Sequence, residues 1–312
     1  MLVLDAGNAL FKSRDSASAP DARARAELLL SEMDAQGTAA MAVGTRDLGL
    51  GVAFLKRQTQ RARMKLLSVN LADAQGKRLF PASLVTTVRG VKVGVVGVSP
   101  VTEKPVPVGV PAPGAPQEQV QGLAVESLLS AEVRQLRQKS KVDVVVVLAA
   151  LPHAEALRLA DQVEGVDFVV QSHEGRPPGI AQRQAQATVI PPGDRGRQLA
   201  KLVLQLDGKG RFEDAGEQER ARQSLRLLEN NLARARTRLS GTQDAAEKRA
   251  LEEAVASLEA RQKALHKTLE GGATGGGRTH LLSYIQLGSD VAADPAVQKR
   301  VERVEPPGSA AH

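Results

Sequence analysis

The sequence contains no cysteine, which excludes disulfides, thiolate metal sites and a cysteine nucleophile but leaves the redox compartment open. Aromatic residues make up only 2% of the chain, so the core must consist of aliphatic side chains. No apolar run reaches the roughly 18 to 20 residues that a membrane helix needs, so no membrane span is expected. Residues 1–5 have neither a basic start nor a long apolar segment, so they do not resemble a secretion signal.

The net charge of +7 is not concentrated in one segment. Between Asp214 and Glu270, eleven Lys or Arg stand against ten Asp or Glu, with the two signs interleaved. The remaining excess of basic residues is scattered along the chain. Because a nucleic-acid surface needs a basic stripe and, for single strands, aromatic platforms, the sequence favours no nucleic-acid partner.

From Met1 to about Asp207, short β-branched runs alternate with amphipathic stretches, which is typical of a layered α/β fold. The predicted strands are Leu2 to Ala6, Ala40 to Val43, Leu66 to Asn70, Val142 to Ala149, Val166 to Gln171, Thr188 to Ile190 and Lys201 to Leu206, with a hairpin over Leu84 to Val98 that turns at Arg89-Gly90. The predicted helices are Pro20 to Gln36, Leu48 to Ala62, Val120 to Gln138 and His153 to Val163, and Pro100 to Pro116 is expected to be an extended loop.

From about Asp214 the apolar residues change to a three-four spacing that predicts two long helices. The first seam is Leu225, Leu228, Leu232, Ala235 and Leu239, and the second is Leu251, Val255, Leu258, Gln262, Leu265 and Leu269. The phase breaks at Ser240-Gly241-Thr242, where Gly suits a turn and Thr242 is expected to cap the second helix. We therefore expect a coiled-coil-like antiparallel hairpin that serves as a structural stalk, or that binds a second copy or another protein.

Four polar segments follow predicted strands, which is where α/β proteins place their chemistry. They are Leu4-Asp5-Ala6-Gly7-Asn8, Val43-Gly44-Thr45-Arg46-Asp47, Leu148-Ala149-Ala150-Leu151-Pro152 and Val169-Val170-Gln171-Ser172-His173-Glu174-Gly175. In this order, and together with Ser68-Val69-Asn70 and residues 90–97, they resemble the calcineurin-like metallophosphoesterases, in particular the amino-terminal domain of bacterial 5'-nucleotidases of the UshA type. The resemblance implies a central β sandwich flanked by helices.

That family holds two divalent metal ions, such as manganese or zinc, through five motifs that supply carboxylate, imidazole and amide ligands. The first motif, Asp-x-His, would precede Met1, so the domain is expected to be incomplete at its amino terminus. The bridging Asp corresponds to Asn8, whose amide brings no negative charge. The Gly-Asn-His-Glu motif corresponds to residues 44–47, with Arg46 in place of the catalytic His and Asp47 in place of Glu.

The two remaining motifs are also altered. The lone His corresponds to Ala150, although His153 follows three residues later, and the last motif keeps His173 but has Gly175 in place of its second His. Asn8 and His173 are therefore the only vestigial metal ligands. Two such groups do not make a closed or a catalytic metal site, so no cofactor is expected.

These substitutions favour a non-catalytic binding or structural module. Arg46, Arg176 and Arg195 are candidates to receive an anionic ligand, such as a phosphate or a nucleotide. The alternative is an active phosphoester hydrolase with a metal pair and either an altered site or an upstream segment.

Plain structural roles also remain open for the same residues. Asn8 suits a turn, His173 suits a hydrogen-bonded loop, and Arg46 either pairs with Asp47 or occupies the space of a missing cation.

The expected organisation is a metallophosphoesterase-like domain at residues 1–212, the hairpin at 213–270, a Gly-rich linker at 271–279, and a strand with a disordered tail at 280–312. The resemblance implies a periplasmic or envelope location, although the start of the chain offers no signal for export.

Overall fold

The computed structural model describes residues 1–13, 15–111, 116–172, 179–193, 196–270 and 277–305. The strands are β1 (Val3–Asp5), β2 (Thr38–Ala42), β3 (Lys65–Leu67), β4 (Leu71–Asp73), β5 (Ser83–Val88), β6 (Val91–Val98), β7 (Val106–Val108), β8 (Glu118–Gly122), β9 (Val144–Ala149), β10 (Phe168–Gln171), β11 (Gln182–Arg183), β12 (Thr188–Ile190), β13 (Gln198–Leu206), β14 (Glu213–Asp214) and β15 (Arg278–Gln286). The α-helices are α1 (Ala22–Ala35), α2 (Val52–Thr59), α3 (Val125–Gln135), α4 (His153–Gln162), α5 (Glu217–Gly241), α6 (Ala245–Glu270) and α7 (Pro295–Val304).

The chain forms two compact units. The first contains residues 1–200 and the segment that begins at Tyr284, and the second is Lys201–Ser283. No helix of the described residues is long and apolar enough to cross a membrane.

The largest sheet of the first unit has six strands in the order β11-β12-β10-β9-β6-β5. Its central strands β6, β9, β10 and β12 are parallel, and the outer strands β5 and β11 are antiparallel to their neighbours. All six residues of β9 are buried, as expected for a valine-rich strand of a parallel sheet that is covered on both faces. The predicted β5-β6 hairpin is confirmed, and Arg89 and Gly90 both take positive φ at its turn.

A second sheet, β1-β2-β3, is fully parallel and packs against the first. The two sheets approach closely at Gly97, where an added Cβ would lie 2.2 Å from the Leu67 carbonyl oxygen. Separate apolar clusters fill the layer under α3 and α4 and the layer under α1 and α2. The predicted layered α/β architecture is thus confirmed.

Several predicted elements differ from the structure for local reasons. The predicted helix at Val120 starts only at Val125, because Glu118–Gly122 is β8, which pairs with β4 and β7. Strand β7 lies inside the segment predicted as a loop, whose residues 112–115 are outside the described part. The predicted helix at Leu48 is broken by Gly51 at a φ of 86°, with a 3-10 turn before it and α2 after it.

In the second unit, α5 and α6 form the predicted helical hairpin. Every predicted seam position is buried or partly buried, and two ion pairs, Arg236–Glu259 at 2.6 Å and Arg238–Glu247 at 2.6 Å, join the helices at their edges. The expected cap at Thr242 is wrong. Asp244 accepts the Glu247 N–H at 2.7 Å instead, because helix α6 begins later than predicted.

A helix that the sequence does not predict, α7, follows β15 in the first unit. Asp294 caps it by accepting the N–H groups of Ala296 and Val297, and a proline occupies its first turn. Helix α7 lies against α1, where Arg300 pairs with Glu32 and Glu305 pairs with Arg25. None of the residues of α7 is buried, although Val297, Val301 and Val304 follow the three-four spacing of a helix. Both the tail after residue 305 and residues 271–276 of the predicted linker lie outside the described residues.

Candidate functional site

The loop after β1 brings Asn8 between the two sheets. Gly7 has a φ of +89°, and an added Cβ would lie 2.6 Å from the Ala42 carbonyl oxygen and 3.2 Å from Ala150 Cβ. Asn8 also takes a positive φ of 61°, a conformation that asparagine tolerates better than most residues. This tight turn is therefore possible only with glycine at position 7, and it fixes the place of the Asn8 side chain.

The amide of Asn8 is hydrogen-bonded to the protein at both ends. Its Oδ1 accepts the Arg46 N–H at 3.1 Å, and its Nδ2 donates to Ser172 Oγ at 3.0 Å. Gly44 makes room for this side chain, because an added Cβ at Gly44 would lie 2.2 Å from Asn8 Oδ1. The loops after β1, β2 and β10 are thus held together through one side chain.

Asp47 is the buried carboxylate that organises these loops. Its Oδ2 accepts the N–H groups of Asn8 at 2.7 Å and Gly44 at 2.8 Å, and its Oδ1 accepts the N–H of Leu10 at 3.1 Å. Burial raises the pKa of Asp47 to about 7, and the three N–H groups oppose that shift only in part. The nearby Asp5 adds a smaller effect in the same upward direction.

The interpretation of Arg46 and Asp47 as a loop salt bridge is wrong. The carboxylate of Asp47 turns inward to three backbone donors, while the Arg46 side chain is partly exposed. Among the described residues, no acidic partner of the Arg46 guanidinium is found within ion-pair distance.

A second polar group lies at the ends of β9 and β10, where Gln171 is paired with Ala149 in the parallel register. Gln171 is only 2% exposed. Its Oε1 lies 2.7 Å from Nδ1 of His153, the first residue of α4. Its Nε2 is buried and has no hydrogen-bond partner among the described residues. The sequence does not single out Gln171, and the only signal is one polar residue at the end of an apolar strand.

A third polar group, at the ends of β3 and β6, is saturated. Ser99 Oγ donates to the Val43 carbonyl oxygen at 2.6 Å and lies 2.8 Å from Ser68 Oγ. The Asn70 amide donates to the carbonyl oxygens of Ser99 and Leu123 and accepts the Ser99 N–H. The Ser68-Val69-Asn70 segment that carried part of the resemblance therefore forms a buried structural network.

The other predicted site residues take different positions. His173, Arg176 and Arg195 lie outside the described residues. Ala150 is buried behind Gly7, so the position of the family's lone His is filled by a methyl group. His153 stands at the start of α4, as the sequence predicts, and contacts Gln171.

The described residues do not fit a pair of divalent metal ions. Within this part of the chain, no three His, Cys, Asp or Glu side chains are grouped closely enough to hold one. The Asn8 oxygen already accepts an N–H group, and both oxygens of Asp47 do the same. The Asn8 oxygen, which the resemblance assigns to metal, is thus used to hold the loops.

Comparison with known proteins gives no matching family model and no matching curated protein. Solved structures do match. The sulfate thiohydrolase SoxB of Thermus thermophilus has a TM-score of 0.53 and 22% identity, over 65% of this chain and 36% of that one. The chain has the metallophosphoesterase fold. The prediction made from the ordered motifs is therefore confirmed at the level of the fold.

Two further structures with this metallophosphoesterase fold show how much of the chain is covered. The 5'-nucleotidase precursor of Thermus thermophilus has a TM-score of 0.51 and 23% identity over 66% of this chain and 42% of that one. The calcineurin-like phosphoesterase YfkN of Bacillus subtilis has a TM-score of 0.56 and 14% identity over 97% of this chain and 82% of that one. The chain therefore spans about two fifths of the length of SoxB and the nucleotidase, but most of the YfkN structure.

Proposed function

We propose that this chain is a non-catalytic metallophosphoesterase-fold module that binds a small anion or serves a structural role. The proposal depends on one observation: Asn8, which stands at the position of a metal ligand of the family, and the neighbouring Asp47 are engaged in hydrogen bonds that tie the loops together. Asn8 and Asp47 use their oxygens to accept N–H groups, which leaves these oxygens poorly placed for a cation. The guanidinium of Arg46, in place of the catalytic His, would repel a dication and attract an anion.

The anion-binding part of the proposal includes Arg46, Arg176 and Arg195 as residues that would receive a phosphate or nucleotide. Arg46 is the member of this set that the structure describes. Its guanidinium is partly exposed and has no acidic partner among the described residues, which supports the assignment. Arginine suits this role because its planar fork matches phosphate geometry.

We also propose that the 213–270 hairpin mediates self-association or binding of a protein partner. Within the hairpin only Ala221, Leu228, Leu232 and Val255 are buried, and the other seam leucines remain partly exposed. Two helices alone cannot cover their seam, so further apolar contact would stabilise it. A periplasmic or envelope location remains part of the same proposal, because the resemblance implies it.

Elemental analysis of the purified chain, combined with a generic phosphatase assay in added manganese and zinc, tests the central claim. We expect far less than one metal ion per chain and no hydrolysis. Stoichiometric metal together with ester cleavage that His173→Ala abolishes would instead support the alternative, an active hydrolase with an altered site. Asp73→Ala, in an exposed turn, serves as the control substitution for that assay.

A further inference from the structure

Helix α7 contacts α1 with little apolar burial. Both helices belong to the first compact unit. No residue of α7 is buried: Val297 and Val304 are partly buried, and Val301 between them is 38% exposed. Packing of an apolar face supplies most of the free energy that holds a helix on a protein. The apolar contacts of α7 therefore make only a weak attachment.

One partly enclosed ion pair joins the two helices. Arg300 donates from Nε to one oxygen of the Glu32 carboxylate at 2.5 Å and from Nη2 to the other oxygen at 2.9 Å. The Glu32 side chain is only 11% exposed, whereas that of Arg300 is 44% exposed. A carboxylate this enclosed needs a partner, and a two-point pair with arginine is among the stronger ion pairs. Within the described part of the chain, Glu32 has no other ion-pair partner.

A second ion pair, at the end of α7, is more exposed. Arg25 of α1 pairs with Glu305 at 2.9 Å, but the same guanidinium also pairs with Asp21 at 2.6 Å. All three side chains are between 33% and 42% exposed. Exposed pairs of this kind contribute little to stability and are screened by salt. The Arg300–Glu32 pair is thus the main attachment, and the docking of α7 depends largely on charge.

The connection to α7 permits its release. Residues 288–294, which join β15 to α7, are all exposed. Helix α7 has ten residues, and isolated helices shorter than about 12 to 15 residues are marginal in water. A detached α7 is therefore expected to unfold, so docking and helix formation occur together as one local transition.

We propose that α7 is a reversible strap on α1, held chiefly by the Arg300–Glu32 pair, that detaches and unfolds while the rest of the first unit stays folded. Detachment leaves Arg25 and Glu32 without their partners on α7. The face of α1 that carries these two residues is thus available to another segment only in the open state. The inference goes beyond the proposed function, because it concerns a conformational change that requires no ligand.

Hydrogen exchange of the full chain, followed by mass spectrometry, tests the strap. We expect the amides of α7 to be less protected than those of the fully buried strand β9 by at least about tenfold, because α7 opens without global unfolding. Raising NaCl from about 0.1 M to about 1 M shortens the Debye length from about 10 Å to about 3 Å. The protection of α7 should then fall about threefold, and that of β9 should not fall.

Substitution of either partner of the main pair should release the strap. Glu32→Gln and Arg300→Gln are each expected to lower the protection of α7 about tenfold and to remove most of its dependence on salt. The double variant should lose no more protection than either single variant, because both remove the same interaction. Glu27→Gln is the matched control on α1, since Glu27 contacts Arg23 and Gln58, and Lys299→Gln is the control on α7. Both controls should leave the protection of α7 within about twofold of the wild type.

Three results would overturn the strap. Equal protection of α7 and β9 would show that α7 opens only with the whole unit. An α7 without protection in wild-type chain at low salt would show that it is not docked. Protection that is unchanged in folded Glu32→Gln and Arg300→Gln variants would show that the pair does not hold it. If Glu32→Gln does not fold, Arg300→Gln decides the question, because it alters a side chain that is 44% exposed.

Discussion

Two places where parallel strands end use buried polar side chains in opposite ways. In the Asp47 cluster, formed by Asn8, Leu10, Gly44 and Asp47, each oxygen of the two polar side chains accepts at least one backbone N–H. In the Gln171 pair, formed by His153 and Gln171, one end of the amide is bonded and the other is not. Both places lie at strand ends in the first unit, where this class of fold puts its ligands.

The difference indicates what each place can do. A group whose acceptor oxygens bond to backbone N–H groups stabilises one loop arrangement and has less acceptor capacity left for a ligand. An unpaired buried donor destabilises the free protein, and a new hydrogen bond to an acceptor removes that destabilisation. The Asp47 cluster therefore stabilises the loops, whereas the Gln171 pair leaves one buried donor without a partner among the described residues.

Replacement of the central carboxylate should give the largest loss of stability. Asp47→Ala leaves three buried N–H groups without an acceptor, and at about 1 to 3 kcal/mol for each we expect a decrease of about 5 kcal/mol in the free energy of unfolding. Urea denaturation of the variant and the wild type at pH 6 measures this decrease. Asp73→Ala is the matched control, since Asp73 also accepts two backbone N–H groups but in an exposed turn, and it should cost about 1 kcal/mol. Equal losses of unfolding free energy in the two variants would show that burial does not determine how much these hydrogen bonds contribute to stability.

The sequence predicts the fold correctly in segments whose structure is determined by a short-range sequence pattern. The valine run of β9, the turn at Arg89-Gly90 and the seams of α5 and α6 all carry period or turn signals that operate within a few residues. Strand β8 is not predicted because its sequence is polar and its partner β4 is distant in the chain. Short strands of this kind are set by tertiary pairing rather than by their own composition.

The site is less predictable, because its contacts join residues far apart in sequence. The sequence indicates that the loops of Asn8 and Asp47 lie at strand ends, but not that Asp47 turns away from Arg46 to bind the Asn8 N–H. Burial of Gln171 against His153 depends on the packing of α4 beside β10, which no local motif encodes. Hydrogen-bond partners at such sites follow from the fold and cannot be read before it.

The second prediction concerns pH. The pKa of Asp47 is raised from 3.8 in the unfolded chain to about 7 in the fold, so the folded protein binds the proton more tightly than the unfolded chain does. Its contribution to stability is therefore complete below about pH 4 and is lost as the pH rises to about 7. We expect the melting temperature to fall between pH 5 and pH 8. The corresponding decrease in the free energy of unfolding is on the order of several kcal/mol.

Asp47→Asn removes this titration and is the variant that checks it. The decline of melting temperature with pH should flatten, although Asp5, whose pKa burial also raises, keeps part of it. A wild-type curve that rises over this range would show that the three N–H groups outweigh burial in setting the pKa of Asp47.

The third prediction compares two buried amides. Asn70 donates two hydrogen bonds and accepts one, so Asn70→Leu should cost about 3 kcal/mol. Gln171→Leu removes one bond but also removes an unpaired donor, so it should change stability by less than about 1 kcal/mol. Thermal and urea unfolding of both variants, without phosphate, gives the comparison. Similar large losses would mean that the Gln171 amide is satisfied in solution.

The smallest expected effect tests the space that Gly44 leaves for Asn8. An added Cβ at Gly44 would stand 2.2 Å from Asn8 Oδ1, so Gly44→Ala must displace the amide that joins three loops, at a cost of about 2 kcal/mol. Asn8→Gly suits the positive φ at position 8 and removes the amide, so in that background Gly44→Ala should cost at least about 1 kcal/mol less. Gly241→Ala is the control and should cost no stability, because an added Cβ there meets nothing within 4 Å and alanine favours a helix more than glycine does. If the losses in unfolding free energy of the two substitutions simply add, Gly44 is needed for the backbone conformation and not for the space of the Asn8 side chain. The Asp47 cluster would then not depend on the position of that side chain.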